Sequence, residues 1–481
     1  MNDIREDVVV DAPGALPALF ERQREAFARE RLPTLAVRRD RLARLKSLVV
    51  DHEARFIEAV AADFGHRSPH ETRLAELYIV AAGIAHAQAN LGRWMRAERI
   101  ATPLHLKPGR ARILRQPVGV AGIISPWNYP VQLALAPAIG ALAGGNRVLL
   151  KPSELTPATS ALLRELVLVR FAPDEFAVVL GAAEVGAAFT RLPFDHLFFT
   201  GSTAVGRRVA RAAADNLTPV TLELGGKSPA LFAPDADLAL TVPRLLSGKL
   251  LNAGQTCIAP DYALVPASMV EPFVVAIRAA LPKLYPSFAS NRDYTAIIND
   301  RHYERLRGLV EDARTKGARI VTLDPAHELP EPASRKMPPT LIVGATAAMA
   351  VMQEEIFGPL LPIESYATLD DAIARINARP HPLSFYYFGR DAARRGKVLD
   401  ETIAGGVTVN DTLWHFAHEG LPFGGVGASG IGAYHGEAGF LTFTHRKPVF
   451  TQPRFAAAKL LYPPYGKKFE KVLALLRRLN G

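Results

Sequence analysis

Short apolar runs alternate with helical stretches between residues 120 and 224, and this rhythm restricts the fold more than any other feature of the chain. Strands that are each followed by a helix build a parallel sheet covered by helices. The predicted strands are 120–124, 147–150, 176–180, 196–199 and 220–224. A second alternating series runs from about residue 228 to residue 409. The sequence therefore predicts an α/β fold with two parallel-sheet domains.

The region before this series has a different pattern. Leucines at positions 42, 45 and 48 recur at helical spacing among basic residues, so the first hundred residues are predicted to be helices that cover one face of a sheet. Residues 104–118 have strand character with a turn at Pro108 and Gly109, which predicts a β-hairpin standing away from the core. Such a hairpin is suited to joining subunits.

Composition limits the compartment and the type of site. The 481 residues include one cysteine, so an internal disulfide and a cysteine-based metal cluster are both excluded. The acidic N-terminus MNDIREDVVVDAPG does not have the pattern of a secretory signal. Residues 116–146 are uncharged, but prolines at 126, 130 and 137 argue against a membrane span. A cytoplasmic protein is expected.

The net charge of +10 is concentrated at the end of the chain, where nine Lys and Arg residues follow His445 together with one acid, Glu470. Phe469, Val472, Leu473 and Leu476 mark the apolar face of a basic amphipathic helix. Such a helix docks on its own protein or a sister subunit, or lies on a membrane surface. The first interpretation is favoured here, and no nucleic-acid partner is expected.

Cys257 lies in LNAGQTCIAP, a polar turn after a predicted helix. A lone cysteine is commonly a small buried hydrophobe. In a polar turn it can also be a nucleophile, if its surroundings favour the thiolate. The residues alone leave both interpretations open.

Glu223 falls near the end of the apolar run PVTLEL, shortly before Lys227. A carboxylate at the end of a buried strand is costly unless it is solvated or paired. It therefore indicates either an ion pair with Lys227 or a general base at the carboxyl edge of a sheet, where open α/β sheets bind ligands.

Two further segments each allow a structural and a functional interpretation. Asn128, in SPWNYP, is either a turn former between prolines or an amide donor for an oxyanion. In FTGSTAVG, Gly201 and Ser202 stand between a strand and a helix predicted to begin at Thr203. Free backbone N–H groups at that helix start predict a phosphate site, and the alternative is an ordinary strand-to-helix turn.

Several familiar signatures do not apply. Gly425, Gly427 and Gly430 satisfy G-x-G-x-x-G, but they lack the strand before and the helix after that a dinucleotide fingerprint needs. The GKS sequence at 226–228 resembles the end of a P-loop, but Thr221 stands where its first glycine must be. No histidine pair has convincing zinc-ligand spacing, so no metal site is predicted.

Seven segments, in order, resemble motifs of the aldehyde dehydrogenase superfamily. They are SPWNYP, KPSE at 151–154, FTGSTAVG, LELGGKSP, the GQTC segment, EEIFGP at 354–359 and the PFGG loop. The similarity covers residues 15–447. The stretch NDTLWHFAHEGLPFGGVGASGIG and the tail YPPYGKKFE are similar to the class 3 branch, particularly bacterial coniferyl aldehyde dehydrogenases.

The resemblance implies an aldehyde dehydrogenase-like fold of two doubly wound parallel-sheet domains and a β-flap that joins subunits, usually as a homodimer. It divides the chain into an NAD(P)-binding domain at 1–103 and 119–224 and a catalytic domain at 225–435. The oligomerisation flap comprises 104–118 and 436–455, including a strand near 442–450. Residues 456–481 form the basic amphipathic tail.

The resemblance also implies roles for individual residues. Cys257 becomes the nucleophile and Glu223 the general base, while Asn128 and the Cys257 backbone N–H form the oxyanion hole. The implied cofactor residues are Trp127, Lys151, Glu154, Gly201, Ser202, Glu355 and Phe357. The expected substrate pocket is lined by Tyr129, Trp414, His415 and Phe416, with ordinary core packing as the alternative for Trp414.

Within the cofactor set, Lys151 and Glu154 are assigned to the adenosine ribose, and Glu355 and Phe357 to the nicotinamide end. Gly201 and Ser202 are assigned to the pyrophosphate. An acidic Glu154 favours the free 2′-hydroxyl of NAD, whereas Lys151 leaves tolerance for NADP.

The resulting hypothesis is NAD(P)-dependent oxidation of an aromatic or medium-chain aldehyde to its acid through a thioester on Cys257. One rival is a CoA-acylating relative that passes the acyl group to something other than water, and Glu223 argues against it. The other rival is a non-enzymatic binding protein of the same fold. The presence of Cys257, Glu223 and Asn128 together argues against that loss of activity.

Overall fold

The computed structural model describes residues 12–328, 331–455 and 457–480, so most of the acidic N-terminal segment, residues 1–11, lies outside the described residues. The helices are α1 (Leu16–Arg29), α2 (Leu35–Val50), α3 (Glu53–Phe64), α4 (Pro69–Glu71), α5 (Ile79–Trp94), α6 (Gln132–Gly144), α7 (Pro157–Arg170), α8 (Ala183–Thr190), α9 (Thr203–Ala214), α10 (Leu238–Leu250), α11 (Val270–Leu284), α12 (Asp300–Thr315), α13 (Ala350–Gln353), α14 (Leu369–Asn377), α15 (Ala392–Glu401), α16 (Trp414–Ala417), α17 (Gly436–Thr442) and α18 (Lys467–Asn480). A π-helical stretch, Thr72–Tyr78, joins α4 to α5.

The strands form three sheets. In chain order they are β1 (Glu98–Ile100), β2 (Arg110–Pro117), β3 (Val120–Ile124), β4 (Arg147–Lys151), β5 (Phe176–Val178), β6 (His196–Thr200), β7 (Val220–Glu223), β8 (Pro229–Phe232), β9 (Tyr262–Pro266), β10 (Arg319–Thr322), β11 (Thr340–Val343), β12 (Leu360–Tyr366), β13 (Ser384–Phe388), β14 (Gly406–Val409), β15 (Gly430–Ile431) and β16 (Thr444–Thr451). All five strands predicted between residues 120 and 224 are confirmed.

The first sheet has six strands in the order β15-β7-β6-β3-β4-β5. Its strands are parallel except β15, and the order reverses between β3 and β6, so the sheet is doubly wound. Helices α2, α3, α5, α6 and α7 pack on one face, and α1, α8 and α9 on the other. Burial on both faces explains why these strands are continuous apolar runs rather than alternating ones.

The second sheet has seven strands in the order β10-β11-β12-β9-β8-β13-β14, parallel except for β10. Its order reverses at β8, which has β9 on one side and β13 on the other. One large apolar core surrounds it, built from its strands and helices such as α10, α11 and α12. The chain therefore contains two doubly wound α/β sheets, in agreement with the predicted fold class.

The glycine-rich segment near residue 430 joins the first sheet, although the sequence analysis assigned it to the catalytic domain. β15 pairs antiparallel with β7, with Gly430 opposite Glu223. Gly425 and Gly427 lie in the loop before β15, and no helix follows directly, so this segment is not a dinucleotide fingerprint.

The third sheet is antiparallel, with β2 between β1 and β16. β16 pairs with the whole of β2. The predicted hairpin at 104–118 is wrong in its first arm, because Leu104–Leu106 form a 3-10 turn and β1 is the strand that pairs with β2. Pro103 and Pro108 flank this turn, and neither can donate a backbone hydrogen bond to a ladder.

The uncharged segment 116–146 forms the end of β2, strand β3 and helix α6. Helix α6 is buried along almost its whole length, with Pro137 inside it. Within the described ranges, no helix is long and apolar enough to cross a membrane.

Candidate active site

Cys257 lies on a strained loop between α10 and β9. After α10 the chain turns through Asn252 and Ala253, whose φ values of 54° and 51° are in the left-handed region. That conformation is unfavourable for non-glycine residues and persists when neighbouring groups fix it. Asn252 Nδ2 donates to the carbonyl oxygens of Asn128, at 2.9 Å, and Gln255, at 3.1 Å. The strain is therefore compensated next to the cysteine.

Gln255 fixes the other side of this loop. Its side chain is fully buried, and Nε2 donates to the carbonyls of Asn252 and Ala296 at 3.0 Å each. Oε1 accepts from the Ile298 N–H at 2.9 Å. All the polar atoms of this side chain are thus used to hold the loop that carries Cys257.

Cys257 faces a cavity of about 780 Å³ with mainly apolar walls. Tyr129, Trp414 and Phe416 line it, as the sequence analysis expected. Trp414 is 64% exposed, so it is not a core residue. The volume is within the range of sites that enclose small organic molecules.

His415 does not line this cavity, contrary to the expectation from sequence. Its side chain is buried on the other side of α16, where Nε2 lies 2.9 Å from Ser384 Oγ and Nδ1 lies 2.7 Å from Thr408 Oγ1. Burial lowers the pKa of this imidazole to about 4, so it is neutral at pH 7. The short helix α16 separates His415 from its neighbours Trp414 and Phe416 because adjacent helical residues point in different directions.

The Cys257 thiol is in an environment that favours its protonated form. Burial raises its pKa, and the nearby carboxylates of Glu355 and Glu223 raise it further. The backbone N–H groups of Cys257 and Ile258 act in the opposite direction. A reactive thiolate at this position therefore requires a base or an added positive charge.

Glu223 is the last residue of β7, and its side chain is 2% exposed. Among the described residues, neither of its carboxylate oxygens has a hydrogen-bond partner. Burial raises its pKa well above the ordinary value for glutamate. A buried carboxyl group with a raised pKa near a thiol is a candidate general base, because its carboxylate form binds a proton more strongly than an ordinary one.

The alternative prediction, an ion pair between Glu223 and Lys227, is wrong. Lys227 Nζ contacts the carboxylate of Asp261, and it donates to the carbonyls of Val351 at 2.8 Å and Glu354 at 3.0 Å. The ammonium group therefore points away from Glu223, towards the segment that precedes Glu355.

Asn128 lies against the cysteine loop. Its side chain is buried, and Nδ2 donates to the carbonyl of Gln255 at 3.2 Å. An amide nitrogen carries two hydrogens, so this bond orients the group and leaves a second donor. Tyr129 is fixed beside it, with its hydroxyl 2.7 Å from Thr256 Oγ1. The fold thus brings Asn128, Glu223 and Cys257 together from three distant parts of the sequence.

The sequence analysis did not predict a buried charged cluster that lies behind the cysteine loop. Arg67 and Glu76 are 3.0 Å apart, and both side chains are fully buried. Arg67 donates to the Asn128 carbonyl at 2.9 Å, and Glu71 accepts from the Asn252 N–H at 3.1 Å. These side chains therefore hold both segments that meet at the cysteine.

A local signal for this cluster is present in the sequence. Ser68 and Glu71 have the spacing of a capping box, and Ser68 Oγ accepts from the Glu71 N–H at 3.4 Å. The motif marks the start of α4, although it cannot show that the Glu71 side chain turns inward.

The residues assigned to the cofactor gather at the carboxyl edge of the first sheet. Lys151 ends β4, and its Nζ lies 3.2 Å from Glu154. Lys151 is buried, whereas the Glu154 side chain is 47% exposed. Gly201 follows β6, and Ser202 caps α9, accepting from the Val205 N–H at 3.4 Å. This is the edge where open α/β sheets bind ligands.

The remaining three assigned residues lie between the two sheets. The rings of Trp127 and Phe357 pack edge to face with centroids 5.3 Å apart. Burial, reinforced by Asp261, raises the pKa of Glu355 to about 8. The Glu355 carboxylate lies so close to Gly225 that any side chain on Gly225 would overlap it.

Three buried polar groups test whether this crevice fits a dinucleotide. Ser125 Oγ, Thr200 Oγ1 and the Glu223 carboxylate have no hydrogen-bond partner within the described part of the chain. They follow or end the neighbouring strands β3, β6 and β7. An unpartnered buried polar group is costly, so these atoms fit a polar ligand that occupies the crevice. Together with the helix start at Ser202, the hydroxyls of Ser125 and Thr200 suit a pyrophosphate and its ribose.

Comparisons with known proteins agree with this arrangement. The model of the aldehyde dehydrogenase family matches residues 14–449. The chain is 50% identical to a probable coniferyl aldehyde dehydrogenase of Pseudomonas aeruginosa, with 95% of each chain covered. It is 46% identical to the coniferyl aldehyde dehydrogenase of a Pseudomonas species, with 96% of each covered.

Solved structures are similar over the same length. A substrate-bound AldH of Staphylococcus aureus matches with a TM-score of 0.91 and 38% identity, covering 96% of this chain and 99% of that one. An aldehyde dehydrogenase of Mycobacterium tuberculosis complexed with NAD+ matches with a TM-score of 0.82 and 29% identity, covering 93% and 92%. With its fold, its cysteine loop and these relatives taken together, the chain belongs to the aldehyde dehydrogenase family.

Proposed function

We propose that this aldehyde dehydrogenase oxidises its substrate through a thioester on Cys257. The observation that carries the proposal is the convergence of Glu223 and Asn128 on the loop of Cys257, which itself lines an apolar cavity. The sulfur adds to the aldehyde carbon, and a dinucleotide held by the cofactor residues would supply the hydride acceptor that turns the adduct into a thioester. Water releases the acid and restores the free thiol.

Asn128 and the backbone N–H of Cys257 form the oxyanion hole in this proposal. The bond from Asn128 Nδ2 to the Gln255 carbonyl fixes the amide, and its second hydrogen is available to the oxygen of the adduct. Preorganised donors of this kind stabilise charge that develops in the transition state.

Glu223 is the proposed base for hydrolysis. Its unpartnered, buried carboxylate with a raised pKa can accept a proton from water that attacks the thioester. A CoA-acylating relative transfers the acyl group to a thiol and does not need this base. We therefore favour hydrolysis over acyl transfer.

We propose NAD as the preferred cofactor, with NADP tolerated. Glu154 is suited to accept hydrogen bonds from the 2′-hydroxyl of the adenosine ribose, and Lys151 is near enough to offset a 2′-phosphate. Gly201 and Ser202 face the pyrophosphate, while Trp127, Glu355 and Phe357 position the nicotinamide end. We also propose a cofactor domain at 1–103 and 119–224 and a catalytic domain at 225–435. Strand β15 is assigned to the cofactor domain, because it pairs with β7.

The proposed substrates are aromatic aldehydes such as coniferyl aldehyde, with medium-chain aliphatic aldehydes as the second class. The cavity is large and apolar, and aromatic side chains from Tyr129, Trp414 and Phe416 form part of its wall. The names of the Pseudomonas relatives support the aromatic class.

A substrate panel tests the proposal. NADH formation is followed by its fluorescence with coniferyl aldehyde, benzaldehyde, hexanal and acetaldehyde as substrates, with and without CoA. We expect the highest kcat/KM with the cinnamyl class and free acid as the product in both conditions. Activity confined to short aliphatic aldehydes would contradict the aromatic assignment, and a CoA ester as product would contradict hydrolysis.

We also propose that the antiparallel sheet joins two copies of the chain into a homodimer in the cytoplasm. The exposed edges of β1 and β16 support the homodimer, because each edge leaves a row of backbone groups that a second copy can pair with. The single cysteine is consistent with a reducing compartment.

A further inference from the structure

A second, smaller cavity lies between helices α5, α6 and α17, and we call it the inner cavity. Its volume is about 20 Å³, enough for one water molecule. Three residues that line it carry a buried polar atom with no hydrogen-bond partner among the described residues, namely Trp94 Nε1, the Tyr434 hydroxyl and His435 Nδ1. An unpartnered buried polar atom is costly, and one water molecule pairs with about two to four such atoms. The inner cavity is therefore suited to an ordered water.

The three atoms complement a water molecule chemically. Trp94 Nε1 donates a hydrogen, and a tyrosine hydroxyl both donates and accepts. Burial and the neighbouring His415 lower the pKa of His435 to about 3, so its imidazole is neutral at pH 7. The ring donates to the backbone of Phe416, and a neutral imidazole has one donor, so Nδ1 is left as an acceptor. A water held by these atoms can therefore both receive and pass on a hydrogen.

Tyr434 brings the inner cavity close to the proposed base. Strand β15 pairs with β7 so that Gly430 lies opposite Glu223, and Tyr434 comes shortly after β15. Burial raises the pKa of its hydroxyl, and the next largest contribution comes from the Glu223 carboxylate, followed by Cys257 and Glu419. The Tyr434 hydroxyl is thus within electrostatic reach of the carboxylate that must lose a proton in every catalytic cycle.

Glu419 connects the inner cavity with the outside of the protein. It lines both the inner cavity and the larger substrate cavity, and it is half-buried beside the exposed His418. Burial raises the pKa of its carboxyl group, and a hydrogen bond from the Gly436 N–H opposes this shift. Glu223 does not line the substrate cavity, so a proton on Glu223 needs carrier groups to reach solvent. Glu419 is suited to be the last of them.

Oxidation of an aldehyde to an acid releases protons, and Glu223 must lose the proton that it takes from water before the next cycle. We propose that a water in the inner cavity carries this proton out, through the hydroxyl of Tyr434 and the carboxylate of Glu419. As Tyr434 accepts the proton of Glu223, it passes its own hydrogen to the water, which passes one of its hydrogens to Glu419. The tyrosine and the water end unchanged, and Glu419 releases the proton to solvent. This path rests on the proposed role of Glu223 in hydrolysis.

Steady-state kinetics of Tyr434→Phe test the proposal. The variant keeps the ring and removes an unpartnered hydroxyl, so its unfolding midpoint should equal or exceed that of the wild type. We expect kcat to fall about tenfold or more, because a positioned proton carrier is lost. Proton transfer then limits the rate, so the solvent deuterium isotope effect on kcat should increase. Added imidazole, a small diffusible base, should restore part of the turnover.

Two further variants interrupt the path at other points. Gly439 lines the inner cavity, and a Cβ there would lie 3.8 Å from the nearest atoms, which belong to Tyr434, so alanine fits without a clash. Gly439→Ala places a methyl group in a cavity with room for one water and keeps the Tyr434 hydroxyl. Glu419→Gln retains the shape of the side chain and cannot take up a proton. Both variants should show a reduced kcat and an increased solvent isotope effect.

Tyr387→Phe is the matched control. Tyr387 is also fully buried, and its hydroxyl also has no hydrogen-bond partner within the described part of the chain. It lies on β13 in the second sheet, and the charged groups that act on it most strongly are Asp235 and Asp391, outside the active site. Its removal should leave kcat and the isotope effect unchanged.

Three results would overturn the path while leaving hydrolysis by Glu223 intact. The first is wild-type turnover in Tyr434→Phe. The second is a slow Tyr434→Phe variant with an unchanged isotope effect and no response to imidazole, which would assign the hydroxyl to packing. The third is wild-type turnover in Gly439→Ala, which would exclude the water. Full steady turnover of Glu223→Gln would instead overturn the proposed function together with the path.

Discussion

Two kinds of buried carboxylate lie on either side of the cysteine loop, and they differ in their partners. Glu76 accepts from the backbone N–H groups of Val131 and Gln132, at 2.7 and 3.1 Å, and pairs with Arg67 at 3.0 Å. Glu223 is equally buried and has none of these contacts. Burial raises the pKa of both, but Arg67 and the two N–H groups oppose the shift at Glu76.

The difference separates a structural use of charge from a chemical one. Breaking a buried pair leaves an uncompensated charge, so Glu76 and Arg67 hold the Asn128 segment in place. An unpartnered carboxylate contributes nothing of this kind and destabilises the fold when ionised. A role in the reaction explains why an unpartnered carboxylate is present at position 223. The predictions below test this contrast between Glu76 and Glu223.

The largest expected effect is at the nucleophile. Cys257→Ser should lower kcat by about ten-thousandfold or more, because a serine hydroxyl has no comparable anionic form at this site. Cofactor binding, measured by NADH fluorescence, should stay close to that of the wild type. A variant that keeps more than a few per cent of the turnover would remove the thioester from the mechanism.

The second effect is on stability. Glu76→Gln should reduce the free energy of unfolding by about 3 to 5 kcal/mol, because it leaves Arg67 buried without a counter-charge. Glu223→Gln is the matched control and should be neutral or slightly stabilising. Denaturant unfolding with and without cofactor measures both. Equal losses in the two variants would show that the two carboxylates do not differ in the way described.

The third effect concerns Asn128, which the Glu76 cluster positions. Asn128→Ala should lower kcat by about a hundredfold, the usual loss for one oxyanion donor. The variant keeps the backbone carbonyl of residue 128, which accepts hydrogen bonds from Arg67 and Asn252. The unfolding midpoint should therefore change little. Turnover near that of the wild type would exclude Asn128 from the oxyanion hole.

The contrast also shows what the sequence could reveal. Glu223 was identifiable because it ends an apolar run, and strand ends in parallel sheets meet at one edge. Glu76 was not identifiable in this way, because a charged residue in a predicted surface helix normally faces solvent. Its burial depends on the π-helical stretch 72–78 and on the packing of α6 against it.

The remaining differences have similar causes. The left-handed Asn252 and Ala253 are set by side chains from distant segments, so no local pattern predicts them. His415 was placed in the pocket with its neighbours, since sequence proximity does not show which side of a short helix faces a cavity. The hairpin prediction at 104–118 found the strand β2 and missed its partner β1, because the turn between them is nine residues long.

The pH dependence links Glu223 to a specific step. Because burial raises its pKa, the carboxyl group is protonated and inactive as a base at low pH, and it gains activity as pH rises through that value. The deacylation rate should follow this rise, while Glu223→Gln should lose it. Single-turnover hydrolysis of the preformed acyl-enzyme at a series of pH values measures the dependence.

Pre-steady-state kinetics of Glu223→Gln test the central claim most directly. The variant is mixed with excess aldehyde and NAD, and NADH is followed by stopped flow. We predict a burst approaching one NADH per active site and then a slow steady rate, with an acyl adduct on Cys257 in the mass spectrum. Full steady turnover without an accumulated adduct would contradict the assignment of Glu223 as the base that releases the acid.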